Sequence, residues 1–209
     1  AAMTEPAACA LHTVRRGDVG EGDVVAVLGA GPIGLMVAQW ARALGARRVV
    51  VADIVDEKLV LARRLGFDDT CNVREESLSA RVAEVTGGEG ARVVVEAAGV
   101  AEAVLQSIEI VQPLGIIVLM GNPTQTVVMP PAALSEVLRK QATIRGTWNS
   151  TFKGRDADDW QDALGAMADG RIEVAAVVTH EFRIGEANEA FRMMASGEEF
   201  YTKVMLSFE

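Results

Sequence analysis

Val24-Val25-Ala26-Val27-Leu28-Gly29-Ala30-Gly31-Pro32-Ile33-Gly34 decides how this chain folds. Its first five residues are apolar without alternation, which suits a strand covered on both faces in a parallel sheet between two helical layers. Three glycines follow at G-x-G-x-x-G spacing. Gly29 permits a tight turn, Gly31 lets the backbone approach a diphosphate, and Gly34 lets the next helix pack closely on the strand. Pro32 falls in the first turn of that helix, where its missing N–H has no helical partner to lose. Ile33, Met36, Val37, Trp40, Ala41 and Leu44 give the helix an apolar side as far as Gly45. Its N-terminus aims free N–H groups and a positive dipole end at the turn, a place for an anion.

A glycine turn can also join strand to helix with no ligand at all, so the context carries the reading. A second strand, Arg48 to Ala52, ends in Asp53, nineteen residues past Gly34. Dinucleotide-binding folds place there the carboxylate that holds the adenosine ribose. Hydrogen bonds from both ribose hydroxyls to a charged acceptor contribute about 1.5–3 kcal/mol. A 2′-phosphate in the same place is repelled by on the order of several kcal/mol. NAD is therefore expected over NADP, and Ile54, Val55 and Asp56 supply no arginine to reverse the choice. Lys58 either reaches the adenosine side as a cation or is an ordinary solvated helix lysine.

Outward from this stretch the strand and helix rhythm continues. Leu59, Ala62 and Leu65 mark a helix that opens on Asp56 and Glu57 and stops at Gly66. Thr70 to Val73 reads as a third strand, and Ser77 as the N-cap of a helix reaching Thr86. Arg92 to Glu96 repeats the buried-strand pattern and runs into Ala97-Ala98-Gly99, small residues that either leave room for a ligand or make a turn. A helix from Ala101 to Val111, a fifth strand from Gly115 to Met120 ending at Gly121, a helix from Leu134 to Lys140 and a sixth strand from Thr143 to Trp148 follow. Together these predict an α/β fold with a doubly wound parallel sheet of order 3-2-1-4-5-6. A further helix is expected from Asp156 to Ala168, then strands at Val174 to Thr179 and Lys203 to Phe208 flanking a helix from Glu186 to Ala195. The sixth strand lies on an edge, and pairing it with its copy in a second subunit keeps an apolar edge covered. A homodimer or homotetramer through Thr143 to Trp148 is the expectation.

Composition narrows the function classes. The chain has 209 residues, 50% of them hydrophobic, enough for one large domain or one domain with an appendage. A net charge of −9 argues against nucleic acid or an anionic membrane surface as partner. Cys9 and Cys71 are far apart and form no CxxC pair, as befits a reducing cytoplasm. No apolar run is long enough to span a bilayer, and the first residues lack the order of a signal peptide. They read as the interior of a longer protein, with Pro6 opening a helix.

Glu5-Pro6-Ala7-Ala8 with His12, then Val27 to Gly34, then Leu138-Arg139-Lys140 with Thr143-Ile144-Arg145-Gly146-Thr147-Trp148-Asn149-Ser150, resembles the medium-chain zinc-dependent alcohol dehydrogenases. Within them the chain is most similar to the sorbitol and galactitol-1-phosphate 5-dehydrogenase branch. The resemblance implies a Rossmann domain over residues 23–170, preceded by a lead-in helix at 1–22. It also implies a segment at 171–209 returning to a GroES-like catalytic domain that holds the zinc and lies outside this sequence. The implied chemistry is oxidation of a polyol or polyol phosphate: zinc polarises the alcohol oxygen, a proton leaves through a relay, and hydride passes to the nicotinamide.

By the same resemblance Glu5 is the acid close to zinc, or else simply a first-turn helix carboxylate. Asn149 falls where polyol dehydrogenases carry a polar residue near the substrate. Lys203 matches a basic residue approaching the diphosphate. The expected cofactor contacts are Gly29, Gly31, Pro32, Ile33, Gly34, Asp53, Ile54, Lys58, Ala97, Ala98, Gly99, Gly121, Thr147, Trp148 and Lys203. No metal site is expected within the chain, although Cys9 and His12 have the spacing to share one side of a helix. Two other classes compete: a redox sensor that binds the dinucleotide without chemistry, and a zinc-free quinone reductase, against which Asp53 and Glu5 both speak.

Overall fold

Val25 and Val27 of β1 (Val24–Leu28) point into one apolar layer, and Ala26 and Leu28 into another. The same two-residue division runs through β2 (Arg48–Asp53) and β4 (Ala91–Glu96), which is why their sequences show no polar face. The computed structural model that shows this describes residues 2–154 and 158–208. Six parallel strands pair in the order β3-β2-β1-β4-β5-β6, with β3 at Thr70–Asn72, β5 at Val111–Leu119 and β6 at Thr143–Gly146. This is the predicted order. The chain reverses its direction of travel across the sheet between β1 and β4, so a crevice opens where their carboxyl ends part.

Helices α1 (Thr4–Arg16), α2 (Pro32–Ala43), α3 (Asp56–Arg64) and α7 (Asp159–Ala168) contribute to the first layer. The second layer takes in α4 (Leu78–Thr86), α5 (Ala101–Ile110) and, through Ala133 and Val137, α6 (Pro131–Lys140). Trp40 of α2 is one of the largest fully buried side chains. Its indole N–H donates to Ala7 O of α1 at 2.9 Å, which satisfies the polar edge of an otherwise apolar ring. Ala7, Ala8, Ala10, Leu11 and Val14 are all buried, so α1 is woven into the core by small residues that let it lie close to α2 and α7.

Several elements differ from the sequence reading. The sixth strand stops at Gly146, where its pairing with Leu119 ends, and Thr147 and Trp148 belong to the loop that follows. The fifth begins earlier, at Val111, with a register irregularity between Ala91 and Val93 that absorbs the extra residues. Asp156, taken as the start of a helix, lies outside the described residues; α7 opens at Asp159 with Asp158 as its cap, accepting from the N–H groups of Trp160 and Gln161. Val174 to Thr179 is not a single strand. Ala175–Val177 makes a 3-10 turn that seats Val177 in the core, and β7 (Val178–Arg183) follows. It pairs in parallel with β8 (Lys203–Ser207) across α8 (Ala187–Ser196), leaving Phe191 and Phe208 exposed.

Candidate functional site

At the switch point the glycine turn meets the acid predicted to accompany it. Gly29 has φ +109 and donates its N–H to Ala52 O at 2.7 Å, pinning the turn to the end of β2. A Cβ at Gly29 would stand 2.9 Å from Ala97 C and Ala98 N, and one at Gly34 would overlap Gly29 O. Both glycines are therefore required by close approach. The buried Asp53 carboxylate accepts from Ala30 N at 2.8 Å through one oxygen, and from Ile54 N at 2.8 Å and Val55 N at 3.0 Å through the other. Lys58 reaches back to the acid: its Nζ lies 3.3 and 3.4 Å from the two Asp53 oxygens. Acid, glycine turn and lysine thus form one bonded unit.

A cleft of about 580 Å³ opens over this unit, lined among others by Gly29, Gly31, Asp53, Ile54, Lys58, Ala97 and Ala98. Ile54 and Val100 are exposed apolar residues in its lining, a surface suited to a flat purine ring. Pro32 and Gly31 open α2 with no side-chain cap, so the first-turn N–H groups are left for a ligand. Sequence reasoning missed Arg74, which also lines the cleft. Its backbone is held by an N–H to Asn72 Oδ1 bond, and Asn72 donates in turn to Asp56. The asparagine at the end of β3 was the available signal, since Asn side chains fold back on the chain in this way.

Ile33 leads into a second cleft, about 260 Å³, lined by Glu5, Cys9, Thr13, Met120, Thr147, Trp148 and Asn149. The structure brings Glu5 and Asn149 to one place although 144 positions separate them. Cys9, which the sequence reading did not put here, stands between the two. Its Sγ lies 3.1 Å from Glu5 Oε1 and 3.7 Å from Asn149 Oδ1. Burial and the Glu5 bond push its thiol up to about 12, so it remains a protonated donor. Thr147 donates its backbone N–H to Leu119 O at 3.0 Å, while its hydroxyl is buried with no partner among the described residues.

Cys9 and His12 do not share a site. His12 turns instead to Asp159, its Nδ1 3.0 Å from a carboxylate oxygen that also accepts from Thr151 N at 2.6 Å. Arg15 binds the other Asp159 oxygen and reaches Asp162 at 2.6 Å. This cluster props the loop carrying Thr147, Trp148 and Asn149 against α1. Lys203 opens β8 opposite Val178 and lines neither cleft.

Among the described residues no group of three or more His, Cys, Asp or Glu side chains is placed to hold a metal ion. At the second cleft Glu5 and Cys9 are bonded to each other, and the thiol is shifted away from the thiolate a metal needs. These residues do not by themselves fit a zinc ion.

The parallel sheet, the glycine turn at its switch point and the acid ending β2 define a Rossmann coenzyme domain. A family model described as zinc-binding dehydrogenase matches residues 32–169. The chain is 31% identical over 208 residues to sorbitol dehydrogenase of Halalkalibacterium halodurans, covering 99% of this chain and 58% of that protein. It is 37% identical over 200 residues to L-threonine 3-dehydrogenase of Anaeromyxobacter dehalogenans, covering 94% and 54%. Galactitol-1-phosphate dehydrogenase from Escherichia coli superposes with a TM-score of 0.88 at 29% identity, covering 97% of this chain and 58% of that one. The chain belongs to the zinc-binding dehydrogenase family, and it spans a little over half the length of these relatives.

Proposed function

We propose that this chain is the coenzyme-binding portion of a dehydrogenase that oxidises a secondary alcohol of a polyol or polyol phosphate to a ketone by hydride transfer to NAD. The observation that carries the reading is the Asp53 carboxylate bonded to the glycine turn at the crevice mouth. The diphosphate lies against the α2 N-terminus, the adenosine ribose on Asp53, and the nicotinamide toward Ile33, where the first cleft gives way to the second. Ile33, Met120 and Trp148 give the second cleft its apolar lining, and Glu5 and Asn149 are among the polar groups that face an alcohol placed there. Hydride transfer needs donor and acceptor held in contact, and that is what such a cleft supplies. The zinc of the whole protein takes its ligand set from outside the described residues, none of which form a group of three or more candidate ligands.

The different activities named for the relatives leave sorbitol-type polyols ahead of β-hydroxy amino acids on one ground: Thr147, Trp148 and Asn149, from the stretch behind the polyol-branch resemblance, line the second cleft. The two free cysteines fit a cytoplasmic setting. We also propose a two-fold pairing of β6 with a second copy. β6 is an edge strand with Ile144 exposed on it, and Leu134 and Leu138 of the preceding α6 are exposed as well.

Titration calorimetry of this chain with NAD and NADP tests the coenzyme reading. NAD should bind, NADP more weakly, and Asp53→Ala should lower NAD affinity at least tenfold, since a charged hydrogen bond contributes about 1.5–3 kcal/mol. No heat with NAD from folded protein would end the proposal.

A further inference from the structure

Glu96 is a carboxylate with no role in the reading above, yet it is 1% exposed at the carboxyl end of β4, beside the switch point. A charge so placed is costly unless it is fully bonded. Its Oε1 accepts from Ala98 N at 2.9 Å and Gly99 N at 2.7 Å, the two amides of the turn after β4. Its main-chain oxygen accepts from Met120 N and Gly121 N, both at 2.9 Å, in the turn after β5. Oε2 lies against Gly121, where an added Cβ would come within 2.7 Å of it and would overlap Gly99 N. One residue therefore holds two turns together from beneath. The first of these turns also abuts the glycine turn, since Gly29 has no room for a Cβ against Ala97 and Ala98.

From this arrangement we infer that Glu96 is the positioning residue for the nicotinamide half of the coenzyme: it locks the turn at Ala97–Gly99 against the one at Met120–Gly121, and so fixes Met120 in the lining of the second cleft, beside Ile33, where that half lies. The inference rests on the coenzyme reading and adds a division of labour to it. Asp53 and Lys58 govern the adenosine half, more than one strand away, and Glu96 touches none of them. Burial pushes the Glu96 carboxyl above the usual range, while the amides of Gly99 and Ala98 pull it back, as expected of an anion whose solvation has been replaced by fixed backbone dipoles.

The test compares NAD with ADP, which carries the adenosine and diphosphate but no nicotinamide, on the wild-type chain and on Glu96→Gln. The glutamine keeps the shape and one acceptor oxygen but presents an NH2 to Gly121. Glu96→Gln should bind ADP within twofold of wild type and NAD at least fivefold more weakly. Gly121→Ala, which separates the same turns from the other side, should show the same split and stands in should Glu96→Gln not fold. Equal losses of ADP and NAD, or no loss of NAD in either folded variant, would overturn the inference. A wild-type chain that binds neither ligand would instead overturn the coenzyme reading on which it rests.

Discussion

A single thiol shows how the second cleft is tuned. Cys9 reads in the sequence as a helix residue one turn past Glu5, and nothing in its spacing reveals that Asn149 will flank it from the other side. With its thiol held at about 12, and that of the buried Cys71 at about 11 by the same desolvation, both groups bind their protons more tightly in the folded chain than in the unfolded one. Stability is therefore fully present below about pH 8.5, the unfolded thiol range, and declines as pH rises toward 11–12. Urea denaturation at pH 7.5, 9 and 10.5 should show a falling midpoint that Cys9→Ser partly flattens, and iodoacetamide should alkylate neither cysteine at pH 8. Asp53, by contrast, was legible at once. A strand that ends in an acid at a fixed distance from a glycine turn leaves little else for it to do, and the structure bonds it to Ala30.

Whole elements were predicted where the pattern repeats and missed where a tertiary contact decides. β1, β2 and β4 announce themselves as short apolar runs, whereas the ends of β5 and β6 depend on which neighbour still offers a carbonyl. The joint between α1 and α7 was invisible, because His12 and Arg15 lie 147 and 144 positions from Asp159 and each reads as an ordinary polar residue. Asp159 is fully buried among them. Removing one partner of a buried ion pair costs about 3–5 kcal/mol, and solvent around the half-exposed Arg15 trims this to roughly 2–3 for Asp159→Ala. Equilibrium urea unfolding measures it. Asp159→Ala should also loosen the loop of Thr147 to Asn149, seen as faster amide exchange there with no change at Gly29 or Asp53.

At the scale of the whole molecule, the order of the sheet followed from the sequence because alternating strands and helices can wind in few ways. What the chain does with its edges did not follow, since an exposed edge looks the same in sequence as a covered one. The proposed pairing of β6 across a two-fold axis makes a definite prediction. Sedimentation equilibrium at micromolar concentration should show a dimer, and Ile144→Lys, which places a charge on that edge, should yield monomer with NAD binding unchanged. A monomeric wild-type chain would count against the pairing.

The weaving of α1 into the core bears on how the polypeptide is made. Leu11 and Val14 share one apolar cluster with Ala163, Ala166, Ile172 and Val177, residues synthesised some 150 positions later. At about 5–20 residues per second on the ribosome, the helix waits on the order of ten to thirty seconds with that flank bare. A nascent chain arrested before α7 should therefore be a better client for a hydrophobic-binding chaperone than one released after Val177.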